Sequence, residues 1–414
     1  MNFAATEKRK KVALYFALFT ELMLLGLTKY WNPLAQSTGI FSPINILIPL
    51  GISFYTFQSV GYIFDVYRGK LQVELNFPRY ALFLSFFPHL LAGPIEPAQH
   101  FLPQIQKSKS FEARSLAFGI ILILAGLFKK LVIADRLGPI VNLVFDNPKE
   151  HFGLGIAFAT LLARYQIYCD FSGYTDIAIG SAMMFGFKLT ENFNRPFFSS
   201  SISEYWRRWH MSLSTWIRNY IFYPLIISSA SRLGFSGLII VTFLALGLWH
   251  GGSINFLLYG LLQGVFIVID AKTKNLRSHF YQKSGLNRYP RLLNSLCIFI
   301  TFFFIIVPPT LFFRSTHFDT SVILIKNLAS HTWSFTDLTF IFRNSYLTQN
   351  LLIAGCSIVL LEFADWIQKA KYNVAEYIWS KPIWIFCTIM ILCLILILIF
   401  GKLETNSSFI YTQF

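Results

Sequence analysis

Apolar runs recur along this chain at lengths that match the hydrocarbon thickness of a bilayer. The run Phe235 to Trp249 holds no charged residue at all. A spanning helix needs about 20 predominantly apolar residues. In lipid every backbone polar group must be satisfied within the protein. Composition points the same way: 55% of residues are hydrophobic, 13% are charged, and the mean hydropathy is +0.53. Soluble domains carry about a quarter charged residues. The expected fold class is therefore all-α, a polytopic integral membrane protein. Its 45 phenylalanines suit lipid-facing helices.

The formal charge of +15 is not a nucleic-acid signal. Its Lys and Arg are scattered in short loops, where orientation in the membrane is set. Nucleic-acid binding would want a basic stripe on a soluble module. Five cysteines form no CxxC pair, so neither a zinc site nor a disulfide framework follows. The start MNFAATEKRKK is polar and basic, and the apolar run after it reaches no small-residue cleavage site, so no cleavable signal is expected.

In order, a first span is predicted over Val12 to Leu27, and the preceding Lys8, Arg9, Lys10 and Lys11 place the N-terminus in the cytoplasm. Residues 44–64, broken by Pro49 and Gly51, carry Ser53, Thr56, Gln58 and Ser59 and suit a cavity wall or re-entrant segment. Prolines 88, 94 and 97 break any straight helix over 80–102, where His89, Glu96 and His100 sit. A span over Ser115 to Ala134 ends near Lys129 and Lys130, and 152–187 holds two helices or one long kinked one. Further spans are expected over 235–249, 253–269, 292–313, 351–363 and 383–400. A basic loop, Lys272 to Arg291, belongs to the cytoplasmic side. The total comes to ten to twelve segments, interrupted ones included, in a single membrane domain covering 1–414.

Chemistry concentrates in 191–224, ENFNRPFFSSSISEYWRRWHMSLSTWIRNYIFYP. A bilayer would expel so polar a stretch unless it lined a wet cavity or was buried in protein. Ser201 or Ser203 is predicted to cap a helix beginning near Glu204, along which Glu204, Arg208 and Ser212 share one stripe. Trp206, Trp209 and Trp216 frame His210, and a second histidine, His250, ends the uncharged span within LGLWHGG. Acyl transfer to a hydroxyl needs a base near neutral pH and a donor to the developing oxyanion. The candidate catalytic pair is His250 as base and His210 as helper, with glycines 247, 251 and 252 leaving room for substrate. Candidate tunnel-lining residues are Asp170, Tyr174, Asn194, Glu204, Trp206, Arg208, Trp209, Ser214 and Trp249. Asp170, an intramembrane carboxylate, reads first as a helix–helix latch. No metal or covalent acyl-enzyme motif is seen. A proton-coupled transporter or an inactive export scaffold is the alternative from a different class.

ENFNRPF, SISEYWRRWHMSLSTWIRNYIFYPL and GLWHGG resemble signature blocks of the membrane-bound O-acyltransferase family, in its bacterial branch of alginate O-acetylases and teichoic-acid D-alanyl transferases. GISFYTFQSVGYIFDVYRG, FFPHLLAGPIEP, YCDFSGYTDIAIG and LFFRSTHFD resemble further blocks, so the likeness covers about 45–320. SEYWRRWHMSLSTW favours the alginate-acetylase side. The resemblance implies a ring of helices around a central funnel, with re-entrant and interfacial helices. It implies direct transfer from a thioester donor, acetyl-CoA or another acyl thioester, with His250 as key residue. It also implies residence in the bacterial inner membrane, and partners among periplasmic acetyltransferases, polysaccharide-export proteins and membrane lipid. D-alanyl transfer and peptidoglycan O-acetylation are the neighbouring activities. Family members usually open with two more apolar segments than precede residue 45 here, so the resemblance implies a truncated chain, a divergent start or a shortened ring.

Overall fold

The computed structural model describes residues 7–40, 42–44, 49, 51–315, 317–330, 333–369, 374–403 and 409. Among them the chain forms helices joined by turns, with no strand. Six helical segments among the described residues are long and apolar enough to cross a membrane: Lys8–Asn32, Ala113–Asp146, Ser229–His250, Ile254–Lys283, Ser345–Trp366 and Ile383–Phe400. Pro290–Ile306 is apolar but shorter, ending before Pro308 and Pro309. This is a multi-pass membrane protein. Two other expected segments are not single spans. Residues 77–105 form three short helices, Phe77–Ser85, Phe87–Leu90 and Ala98–Ile105, parted by the prolines. Of 44–64, residues 45–48 and 50 lie outside the described residues, and the remainder enters the helix Ile52–Tyr67, which buries Thr56, Gln58 and Ser59.

Two sequence expectations change, and a third is narrowed. The span expected to stop at Ala134 continues through a π-helical turn, Phe128–Ala134, to Asp146. Its two lysines do not end it because carboxylates of the neighbouring helix neutralise them: Lys129 pairs with Asp176 at 2.7 Å and Lys130 with Asp170 at 2.6 Å. Of the two alternatives for 152–187, the chain forms the single long helix, Gly153–Met184, 32 residues without a break. It lies against 113–127 at backbone contact, since a Cβ on Gly126 would stand 2.4 Å from the Gly173 carbonyl oxygen. More than half of the basic loop 272–291 is helical, because Ile254–Lys283 runs on through Lys272 and Arg277, where Arg277 pairs with Asp270 at 2.5 Å.

The 191–224 stretch is no detached domain. Trp206 Nε1 donates to Gln263 Oε1 at 3.0 Å, and Trp216 Nε1 to the Phe57 carbonyl at 2.8 Å. These bonds and the side chains of Tyr205, Trp206, Trp209 and Leu213 join it to the main core, which the helices Gly153–Met184, Gly234–His250 and Ile254–Lys283 share.

Candidate active site

The site begins with a break in a helix. Ser201 accepts from the Glu204 N–H at 3.2 Å and caps Ile202–Arg208, as read from the sequence. The helix stops at Arg208, so the Glu204–Arg208 part of the expected stripe exists and Ser212 falls outside it. The segment 192–194 folds back across the break. Asn194 N–H donates to the Arg208 carbonyl and Met211 N–H to the Asn192 carbonyl, both at 2.9 Å. Clamped between them, His210 adopts a left-handed conformation, φ 43° and ψ 55°. Arg195 is the one other non-glycine among the described residues with positive φ. Such geometry costs a non-glycine residue about 1–2 kcal/mol and is held only where the surroundings dictate it. A second helix, Met211–Ile217, starts immediately after.

The strain turns His210 into the core, where it is 1% exposed. Its ring meets Phe171 edge-on at 4.7 Å and Trp249 at 6.2 Å. Asn192 sets its tautomer. Ser212 donates to Asn192 Oδ1 from both its hydroxyl, at 2.5 Å, and its backbone N–H, at 3.3 Å. A backbone N–H can only donate, so the amide oxygen must face this way. His210 Nδ1, 3.4 Å from the same oxygen, therefore carries its proton there, which leaves Nε2 as the basic nitrogen. Burial lowers the His210 pKa and keeps the ring neutral. Ser212 also accepts from the Ile95 N–H at 3.0 Å. It lines a surface cleft of about 240 Å³ with Gln58, Asp65, Arg68, Glu96 and Trp216. Two hydrogen bonds, both to Asn192 Oδ1, thus link Ser212 in this cleft to His210.

His250 comes from another wall. It is the last residue of Gly234–His250, 4% exposed. The helix hairpin with Ile254–Lys283 fixes its height. A Cβ on Gly247 would lie 2.3 Å from the Phe256 carbonyl oxygen, and one on Gly251 would lie 2.8 Å from the Phe256 ring. These two glycines serve helix packing, not room for substrate, which corrects the sequence reading. Trp249, Phe313, Phe256 and Tyr259 surround the imidazole at 4.6–6.1 Å between ring centroids. Trp249 touches both histidines, stacks on Phe57 at 5.4 Å and lies under Lys29, whose ammonium also donates to the Trp249 carbonyl.

The remaining candidates divide. Trp209 stacks on Tyr205 at 5.6 Å and receives the Arg164 guanidinium at 4.0 Å. Trp206 braces Gln263. Glu204 accepts from Ser200 N–H and Oγ at 2.8 Å and pairs with Arg208 at 2.6 Å, closing a local cap away from the histidines. Asn194 contributes its backbone, and Ser214 Oγ donates to the Trp209 carbonyl at 3.2 Å. Asp170 joins Lys130 and Asp135 in a buried ion triad, and Tyr174, on the same helix, bonds the backbone at 91–92. His89 is a core residue, its Nε2 3.0 Å from the Phe83 carbonyl oxygen. Glu96 holds His100 and accepts from Thr190 N–H at 2.8 Å. Among the described residues, no three His, Cys, Asp or Glu are grouped as metal ligands.

Sequence reasoning missed Asn192, Ser212, Tyr259 and Arg164 as parts of this wall. Arg164, 2% exposed, bonds the Tyr259 hydroxyl beside His250. Its signal was available: an arginine inside the apolar run 153–167 marks an interior position.

Residues 70–317 match the model of the membrane-bound O-acyltransferase family. The chain belongs to that family. Over 338 residues it is 35% identical to the probable alginate O-acetylase AlgI of Pseudomonas aeruginosa, covering 78% of this chain and 62% of that protein. Over 350 residues it is 31% identical to the peptidoglycan O-acetyltransferase of Helicobacter pylori, covering 77% and 65%. Over 270 residues it is 32% identical to the teichoic acid D-alanyltransferase of Bacillus subtilis, covering 61% and 66%. The chain thus spans just under two thirds of the length of each of these relatives.

Proposed function

We propose that this protein is an O-acyltransferase of the bacterial inner membrane. It moves an acetyl group from a cytoplasmic thioester, acetyl-CoA or another acyl thioester, for O-acetylation of an exported or cell-surface polysaccharide of alginate type. The carrying observation is the convergence of His210 and His250 on Trp249 from different elements of the core. His250 takes the proton of the acceptor hydroxyl as its oxygen attacks the thioester carbonyl. Collapse of the tetrahedral intermediate breaks the C–S bond, and the His250 imidazolium returns the proton to the departing thiolate. His210, with Nε2 basic and its orientation held by Asn192, positions the acceptor. The cleft ending at Ser212 is one approach. Acceptance of the acetyl group by a periplasmic acetyltransferase or export protein completes the route.

The test is the acetyl content of the exported polymer in a deletion strain complemented with variants. His250→Ala should lower transfer about 10²–10⁴-fold, the usual worth of a general base, with insertion and yield unchanged. Wild-type acetylation from well-expressed His250→Ala would end the proposal in favour of transport or scaffolding. D-alanine or acetylated peptidoglycan appearing instead would move the reading to those relatives' activities.

A further inference from the structure

The helices Ala113–Leu127 and Gly153–Met184 reach a common end where an open cleft of about 610 Å³ lies, with neither His210 nor His250 in its lining. Four cations line it, Lys107, Lys109, Arg114 and Lys188, against one carboxylate, Glu112. Arg114 is paired with Glu376, and Glu112 accepts from Ser115 Oγ at 2.9 Å. The three lysines keep their excess charge. Lys109 is fixed, donating to the Gly186 carbonyl at 2.8 Å with its ammonium 4.5 Å over the Phe187 ring. Burial and the charge of Lys107 push its pKa down, Glu112 opposes, and Lys188 adds to the repulsion. An anion in the opening relieves that crowding.

The cleft is also amphipathic. Phe118 and Met183 form part of its wall, and Phe111 and Phe185 stand exposed nearby in the chain. Ala113 opens a membrane-crossing segment, so the cations sit at the boundary between apolar helix and water. A soluble anion needs only the charge. An amphiphile with a phosphate head uses both the charge and the apolar wall, and basic pockets at the ends of spanning helices recognise such headgroups.

We propose that this cleft binds the phosphodiester headgroup of an anionic phospholipid, with Lys107, Lys109 and Lys188 on the phosphate and Phe118 and Met183 against the start of an acyl chain. The test uses the full chain purified in detergent and titrated with fluorescent phosphatidylglycerol or phosphatidylcholine. Each basic residue near such a surface is worth about fivefold in affinity. Lys107→Gln with Lys188→Gln should therefore weaken phosphatidylglycerol binding about 25-fold and leave the weaker phosphatidylcholine binding unchanged. Should the double variant melt early in detergent, Lys107→Gln alone, at an exposed position, should show the fivefold loss. Equal phosphatidylglycerol affinity in the wild type and a folded variant would overturn the proposal. Displacement of the lipid by inorganic phosphate or by coenzyme A at matched concentration would overturn it too, assigning the cleft to a soluble phosphate. No acyl transfer is measured, so the result is independent of the proposed activity.

Discussion

At the residue scale, the two histidines differ in how they reach the core. His250 rides to the end of an uncharged helix, and its position was legible because nothing interrupts Phe235 to Trp249. His210 depends on a fold-back that local spacing does not encode. An unbroken helical stripe from Glu204 to Ser212 is as consistent with the sequence as the observed break. What decides is the pairing of 192–194 with 208–211, a contact between segments whose separation hides it from periodicity. Asn192 is the side chain that makes the fold-back chemical, since it holds Ser212 and orients His210. Asn192→Ala should lower acetyl transfer about fivefold to tenfold, the worth of one neutral hydrogen bond of about 1 kcal/mol, with membrane yield retained. The measurement is transfer per folded protein across pH. A loss that only tracks reduced yield would reduce Asn192 to a packing role.

At the element scale, the Ala113–Asp146 and Gly153–Met184 helices are joined by glycine contact and by charge. The lysines that looked like a terminus are the male half of a latch: Lys130 sits between Asp135 at 2.9 Å and Asp170 at 2.6 Å, all three buried. The sequence offered Asp170 as latch or as tunnel residue, and the triad favours the latch. Removing that cation deletes an ion pair from each of two buried carboxylates. Lys130→Met should therefore cost about 3–5 kcal/mol, the loss seen when one partner of a buried pair is deleted. Asp170→Asn should cost less, because Lys130 keeps Asp135. Unfolding in detergent reads the first effect, and acetyl transfer per folded protein reads the second. A well-folded Asp170→Asn protein that transfers no acetyl group would return Asp170 to the chemistry. Helix limits were the least legible feature here, because whether a lysine ends a span depends on a carboxylate arriving from another helix.

At the scale of the whole molecule, two basic ends bear on orientation. Helix Glu7–Thr38 carries Lys8, Arg9, Lys10 and Lys11 at its start and, twenty residues on, bonds the 248–249 carbonyls through Lys29 and Tyr30. At 1.5 Å per residue that is about 30 Å, the thickness of a hydrocarbon core. Helix Ile254–Lys283 leaves the same level beside His250 and meets its first lysine, Lys272, about 27 Å further along by the same rise. The turn 251–253 between the hairpin helices holds no charge. Both basic ends thus stand about one membrane thickness from His250 along their helices, and the excess of Lys and Arg predicts that both face the cytoplasm. Single cysteines introduced at Lys10 and at Lys283 should be protected from an impermeant maleimide in intact cells and labelled after lysis. A cysteine at Ser253 should be the more accessible from outside. Opposite labelling of positions 10 and 283 would refute the shared side. Labelling of both from outside would invert the molecule, and with it the direction in which the proposed transfer runs.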